Sequence, residues 1–152
     1  MSKPPAEYNI EVATGILNTM FAPWVLDLGL HIESVETDPP PGHAAGWKPG
    51  VVLRMAFSER LCREGGIVCG QAMMALADTA MALAIGAAAK EFRPIATVDQ
   101  TTHFLKAVAA SDVLADARVI RLGRTMSFGR VDLLSANDRK PVAMVSCAFA
   151  ML

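Results

Sequence analysis

Cys69-Gly-Gln-Ala-Met-Met-Ala-Leu-Ala-Asp-Thr-Ala-Met-Ala-Leu-Ala-Ile-Gly-Ala-Ala-Ala89 is a run of small and apolar residues that carries one charge, Asp78. Its content of Ala, Leu and Met favours helix. It is apolar on every side, so the predicted helix (residues 67–90 with its flanks) belongs in an interior rather than on a surface. A carboxylate in such a place is costly unless it is paired, hydrogen-bonded or protonated. Asp78 is therefore the first candidate functional residue of the chain.

The segments around this run are of another kind. Residues 6–20 place Ile10, Val12, Ala13, Ile16, Leu17 and Met20 at helical spacing, and Phe21-Ala-Pro-Trp24 re-aims the chain. The segment 1–24 is thus predicted as an N-terminal helical piece. Strands are predicted at 30–35 and 51–57, separated by a loop rich in Pro and Gly. After the central helix, strands are predicted at 95–108, 112–122, 125–134 and 140–151. In the second of these, Val113, Ala115, Ala117 and Val119 alternate with Asp116 and Arg118. Gly129 is a candidate bulge. Asp99, Thr101 and His103 follow Thr97 at period two and are expected on its face.

A helix that is apolar all round needs cover on most sides, and a curved antiparallel sheet supplies it. The expected fold is therefore α+β, one domain over 1–152, with the sheet wrapped around the helix. The net charge is −1, which gives no electrostatic case for nucleic acid or an acidic membrane. The run 69–89 is long enough for a membrane span, but its central Asp78 and the strands that follow favour a core helix. A hydrophobic share of 53% is high for a small monomer and points to surface buried between subunits. Three cysteines without a Cys-x-x-Cys pair argue against a disulfide framework or structural zinc. His31 and His43 have no metal-ligand partners nearby in sequence. The N-terminus lacks the apolar core of a secretory signal, so a cytoplasmic location is expected.

Three motifs carry a resemblance. Cys69-Gly-Gln, an apolar stretch and Leu-Ala-Asp78-Thr-Ala resemble the signature of hotdog-fold acyl-CoA thioesterases of the phenylacetate-degradation type, in the 4-hydroxybenzoyl-CoA thioesterase superfamily. Thr97-Val-Asp-Gln-Thr-Thr-His-Phe-Leu-Lys106 is similar to the family strand that ends in Phe-Leu. Leu122-Gly-Arg-Thr125 is similar to the family's Gly-Arg turn. The resemblance covers roughly residues 25–151. It implies a hotdog fold, a homodimer or dimer of dimers with its sites at the interface, and hydrolysis of a small or medium acyl-CoA. It implies no cofactor, with coenzyme A only as part of the substrate. The sequence departs from the family pattern at Cys69, where His is usual, and at Gln71, where a second Gly is usual. Arg63 lies near a place where some relatives have Asn.

Thioester hydrolysis requires a polarised carbonyl and an activated water or nucleophile. Gly70 opens the helix, where the backbone N–H groups lack intrahelical partners and the helix dipole is positive. Such an N–H suits a developing oxyanion; the plainer reading is a simple first turn. Asp78 fits a general base or a nucleophile, or a structural carboxylate bonded to a neighbouring strand. Thr97 falls where relatives carry a hydroxyl that positions water, and is otherwise an ordinary strand residue. Gly70 and Asp78 lie roughly 12 Å apart on one helix at ~1.5 Å per residue. One thioester cannot bridge them within a subunit, so the site is expected to pair Gly70 of one copy with Asp78 of another. Cys69 and Gln71 are candidate substrate contacts. Arg63 and Arg124 are candidates for coenzyme A phosphates, with solvated surface roles as the alternative. The same fold would also serve a non-catalytic acyl-CoA binding or sensing protein.

Overall fold

The computed structural model describes residues 7–152; the first six residues of the predicted N-terminal segment lie outside it. Helix α1 (Ile10–Met20) starts at Asn9, whose side-chain oxygen accepts a hydrogen bond from Val12 N at 3.0 Å. A short turn of helix, α2 (Pro23–Leu26), leads into β1 (Leu30–Glu36) and β2 (Gly50–Met55). Two short strands, β3 (Cys62–Arg63) and β4 (Ile67–Val68), pair ahead of the central helix α3 (Gly70–Ala89). Then come β5 (Ile95–Phe104), β6 (Val113–Leu122), β7 (Met126–Ser135) and β8 (Pro141–Met151).

The helix is shorter at its start than the predicted 67–90. Ile67 and Val68 pair with Arg63 and Cys62 instead, and the Cys69 backbone is extended. At the other end Lys90 takes a left-handed conformation with φ 59°. The Glu91 N–H returns to Gly86 O at 3.1 Å, so the last carbonyls of the helix are satisfied.

Six strands form one antiparallel sheet in the order β1-β2-β6-β7-β8-β5. Its concave face lies against α3. Val51, Leu53 and Met55, Val113, Ala115 and Ala117, and Val145, Cys147 and Phe149 all point inward and are buried. From α3, Leu76, Ala77, Ala80, Met81, Leu83 and Ala84 meet them. The helix is long and apolar enough to cross a membrane, but 67% of its apolar window is buried inside the fold. The alternation read in the sequence for 112–122 holds as far as Val119. This is the hotdog arrangement that the resemblance implied, with α1 packed against β1 and α3.

Two local expectations fail. Gly129 is not bulged: it sits opposite Val119, and the extra residue is Ile120 on β6, between Val119 and Arg121. The glycine answers to packing instead. A Cβ at Gly129 would lie 2.3 Å from the Met81 methyl and 2.9 Å from the Arg118 carbonyl oxygen. The second failure concerns β5. Thr97 pairs with Phe149 and Asp99 with Ala148, which leaves Val98 as an extra residue. Thr97 therefore shares the inward side with Phe149, whereas Asp99, Thr101 and His103 share the outer side with Ala148, Ser146 and Met144. The bulge breaks the period of two.

Gly129→Ala is expected to destabilise the protein by about 1–3 kcal/mol through overpacking, because the backbone oxygen of Arg118 cannot swing aside. Urea denaturation of the two proteins checks this. An unchanged midpoint would mean that the sheet and helix accommodate a methyl group there.

Candidate active site

The bulge at Val98 brings a set of β5 side chains onto α3. The strand meets the helix in reverse order. Thr97 Oγ1 donates to Asp78 Oδ1 at 2.8 Å. Gln100 Nε2 donates to the Met74 carbonyl at 3.0 Å, one helical turn before Asp78. Phe104 closes over the start of the helix, where a Cβ on Gly70 would touch its ring at 3.0 Å. A side chain at 70 would press on this ring, and glycine leaves room for it.

Asp78 is half-buried and, among the described residues, has no cation beside it. Burial pushes its carboxyl above the ordinary range for Asp, and the Thr97 hydroxyl bond partly offsets that. Because Thr97 spends its proton on the carboxylate, its oxygen lone pairs remain able to accept from a water molecule. Cys147 lies on the inner side of β8, opposite Gln100. Burial, with the charges of Asp78 and Asp99, pushes its thiol up to about 12, so it stays protonated and acts as packing.

Asp78 and Thr97 stand on the wall of a cavity of about 380 Å³. The rest of that wall is mostly apolar and comes from α1, from α3 beyond Asp78, from Phe92–Ile95 and from the chain end. Gly70 lies at a different cavity, of about 360 Å³, with Met73, Phe104, Arg63 and Lys106. The chain therefore presents the two halves of the expected chemistry at separate places, as the helix length required.

The remaining predicted residues distribute as follows. Cys69 is the residue before the helix. Its side chain makes no capping bond, and its N–H donates to Leu61 O at 2.8 Å. Gln71 is exposed, two residues further on. Arg63 is exposed and reaches only the neighbouring Glu64 carbonyl, at 3.4 Å. Arg124 is exposed in the β6–β7 turn, at the opposite end of the sheet from the β5–β6 connection near Arg63, where Thr125 O accepts from Met151 N. Arg63 and Arg124 are not brought together within one chain. Among the described residues, no three His, Cys, Asp or Glu side chains gather in a way that would hold a metal ion.

Sequence reasoning missed Gln100, Phe104 and Tyr8. Gln100 and Phe104 were hidden by the bulge, which no residue type announces at Val98. Tyr8 is the lone tyrosine of the chain. It is 3% exposed, its hydroxyl donates to Leu83 O at 3.0 Å, and it lies on the wall of the Asp78 cavity. A single tyrosine just ahead of an amphipathic helix was the available signal.

A single central helix in a curved antiparallel sheet, with an acid–hydroxyl pair beside an apolar cavity, defines a hotdog-fold protein of the thioesterase class. The chain belongs to the thioesterase superfamily, whose family model matches residues 65–142. It is 32% identical over 91 residues to a Halobacterium salinarum protein named "Putative esterase", a match that covers 57% of this chain. That match spans 60% of the relative's own length. Among solved structures it is similar to zebrafish thioesterase superfamily member 2, with a TM-score of 0.73 at 23% identity, covering 94% of this chain and 98% of that one. It is also similar to a variant of the phenylacetic acid degradation protein PaaI of Thermus thermophilus, with a TM-score of 0.67 at 23% identity, covering 86% and 100%. At these identities the structural likeness is one of fold.

The raised Asp78 carboxyl carries a stability consequence. The folded state holds its proton to higher pH than the unfolded chain does, so stability falls as pH rises through that interval. Asp78→Asn, which removes the buried charge and keeps an acceptor for Thr97, is expected to be the more stable protein at neutral pH. Its advantage should shrink as the pH drops below the range in which Asp78 ionises. Paired thermal melts across pH 3–8 read this; a variant less stable than wild type at pH 7 would mean that the carboxylate is held by favourable contacts stronger than its burial cost.

Proposed function

We propose that this protein is an acyl-CoA thioesterase, hydrolysing a small or medium acyl-CoA to the free acid and coenzyme A at a site shared by two copies of the chain. The observation that carries the reading is the 2.8 Å bond from Thr97 to a half-buried Asp78 on the wall of an apolar cavity. An uncharged acyl group fits the cavity, and a base fits its mouth. Membership in the thioesterase superfamily supports the reaction class.

In this mechanism Asp78 accepts a proton from water held against Thr97, and the hydroxide attacks the thioester carbon. The carbonyl electrons move to oxygen, and the N–H of Gly70 stabilises the oxyanion. As the tetrahedral intermediate collapses, the carbon–sulfur bond breaks and the Asp78 proton goes to the departing thiolate. Cys69 and Gln71 flank the carbonyl. Arg63 and Arg124, exposed at opposite ends of a protomer, are the cations offered to coenzyme A phosphates.

The order of contacts along β5 supports the shared site. This strand is one edge of the sheet, and Val98, Phe104 and Leu105 are exposed by 59%, 51% and 52%. An unpaired, partly apolar edge is a template for a second chain. A two-fold axis near Gln100 would lay the Asp78–Thr97 end of one β5 beside the Gly70–Phe104 end of the other. The two half-sites then complete each other twice.

Wild-type turnover of a panel of acyl-CoAs, read as released thiol, is expected to fall at least about a hundredfold in Asp78→Ala, the usual loss for a general base. Thr97→Val removes the bond that lowers the Asp78 carboxyl, so the acid limb of the pH–rate profile should move to higher pH. Binding of acyl-CoA without turnover by either protein would transfer the reading to an acyl-CoA binding protein.

Val98→Lys places a charge on the exposed edge and is expected to shift the protein toward monomer in sedimentation velocity, with turnover lost in parallel. A wild-type monomer with full activity would sink the shared site.

A further inference from the structure

The Asp78 cavity runs along the central helix. It follows α3 from Asp78 past Ala82 and Leu83 to Gly86. Eight residues of helix span roughly 12 Å. Tyr8 stands at the Gly86 end. Its ring packs so closely that a Cβ on Gly86 would lie 2.5 Å from the ring. Its hydroxyl is tied to the Leu83 carbonyl at 3.0 Å. A buried ring held at both its face and its hydroxyl does not swing away easily, and moving it would leave a polar group unpaired.

The volume is informative too. A cavity of ~150 Å³ is enough to house benzene; this one measures about 380 Å³. It is too large for an acetyl group to fill. Ile16, Met20, Phe21 and Phe149 make its sides apolar. The cation on its wall, Arg93, is already paired with Glu91 at 3.6 Å. Among the described residues, nothing else on the wall away from Asp78 and Thr97 invites a second carboxylate.

We propose that Tyr8, held against Gly86 and Leu83, is the end wall of an acyl pocket that selects uncharged apolar acyl groups of medium length. The N-terminal segment thereby sets specificity, while α3 and β5 carry the chemistry. The inference rests on reading Asp78 and Thr97 as the thioester end of the cavity.

The test separates the pocket from the reaction. Calorimetric binding of S-alkyl-CoA thioethers, which have no carbonyl to hydrolyse, is measured from ethyl to hexadecyl. Wild-type affinity is expected to climb to about decyl and then fall. In Tyr8→Ala the optimum should move to longer chains, with a gain on the order of tenfold for hexadecyl, about what two further buried methylenes supply. Tyr8→Phe keeps the ring and should keep the ranking. Ala82→Phe fills the middle of the pocket and should move the optimum to shorter chains, which keeps the test decisive if Tyr8→Ala does not fold. An affinity that rises through hexadecyl in wild type, or a ranking that neither Tyr8→Ala nor Ala82→Phe changes, overturns the proposal. The expected rankings without hydrolysis of any acyl-CoA would leave the pocket standing and remove the thioesterase reading. Hydrolysis with no length preference would do the reverse.

Discussion

Everything in this molecule depends on hiding one helix. α3 has no polar stripe to offer solvent, so its stability comes from what surrounds it rather than from its own propensity. A flat sheet would cover one side only. The twist and curl of six antiparallel strands bring cover to more than one side, and small residues at the contact let the two layers approach. Ala115, Ala117 and Gly129 supply that smallness from the sheet, and the alanines of α3 supply it from the helix. The segment just ahead of α1 adds cover toward the C-terminal half of the helix through Tyr8.

Asp78 is tolerable only within that arrangement. It faces a flank of α3 where the cover is incomplete, beside β5 at one edge of the sheet. There the carboxylate keeps partial contact with solvent and gains a hydroxyl partner, yet remains desolvated enough to hold a proton more firmly than an exposed Asp. The same incompleteness leaves room for the cavity. Packing and chemistry are therefore not separate designs: the place where the helix is least well buried is the place where a reactive group and a ligand can both be accommodated.

Much of this was legible in the sequence because the underlying signals are local and periodic. An apolar run of uniform character gave the helix, and alternation at Val113, Ala115, Ala117 and Val119 gave the inward face of a strand. Asp78 stood out by contrast with its neighbours, and Thr97 through a motif resemblance. The parts that escaped are those that depend on contacts far apart in the chain. Gly129 looks like a bulge to a reader who sees only its strand; the reason for it is the Met81 side chain on the helix. Tyr8 meets Leu83 and Gly86 across more than seventy residues. Asp99, Thr101 and His103 were assigned to the wrong side of β5 because strand pairing, not residue type, decides where an extra residue is absorbed.

The bulge at Val98 also governs what kind of change the site can survive. Thr97 and Gln100 are three apart, an odd spacing that an ordinary strand would send to opposite sides. Here the extra residue restores their parity, so that both can reach a helix whose own contact points, Met74 and Asp78, are one turn apart. The information lies in how many residues separate Thr97 from Gln100, with the identity of Val98 secondary. A chain with one residue fewer at this point can keep both contacts on a regular ladder. A chain of the same length that lost the bulge could keep only one of them. Strand length and bulge together, and not the residue at 98, thus decide whether a distant relative retains the same pairing of strand and helix.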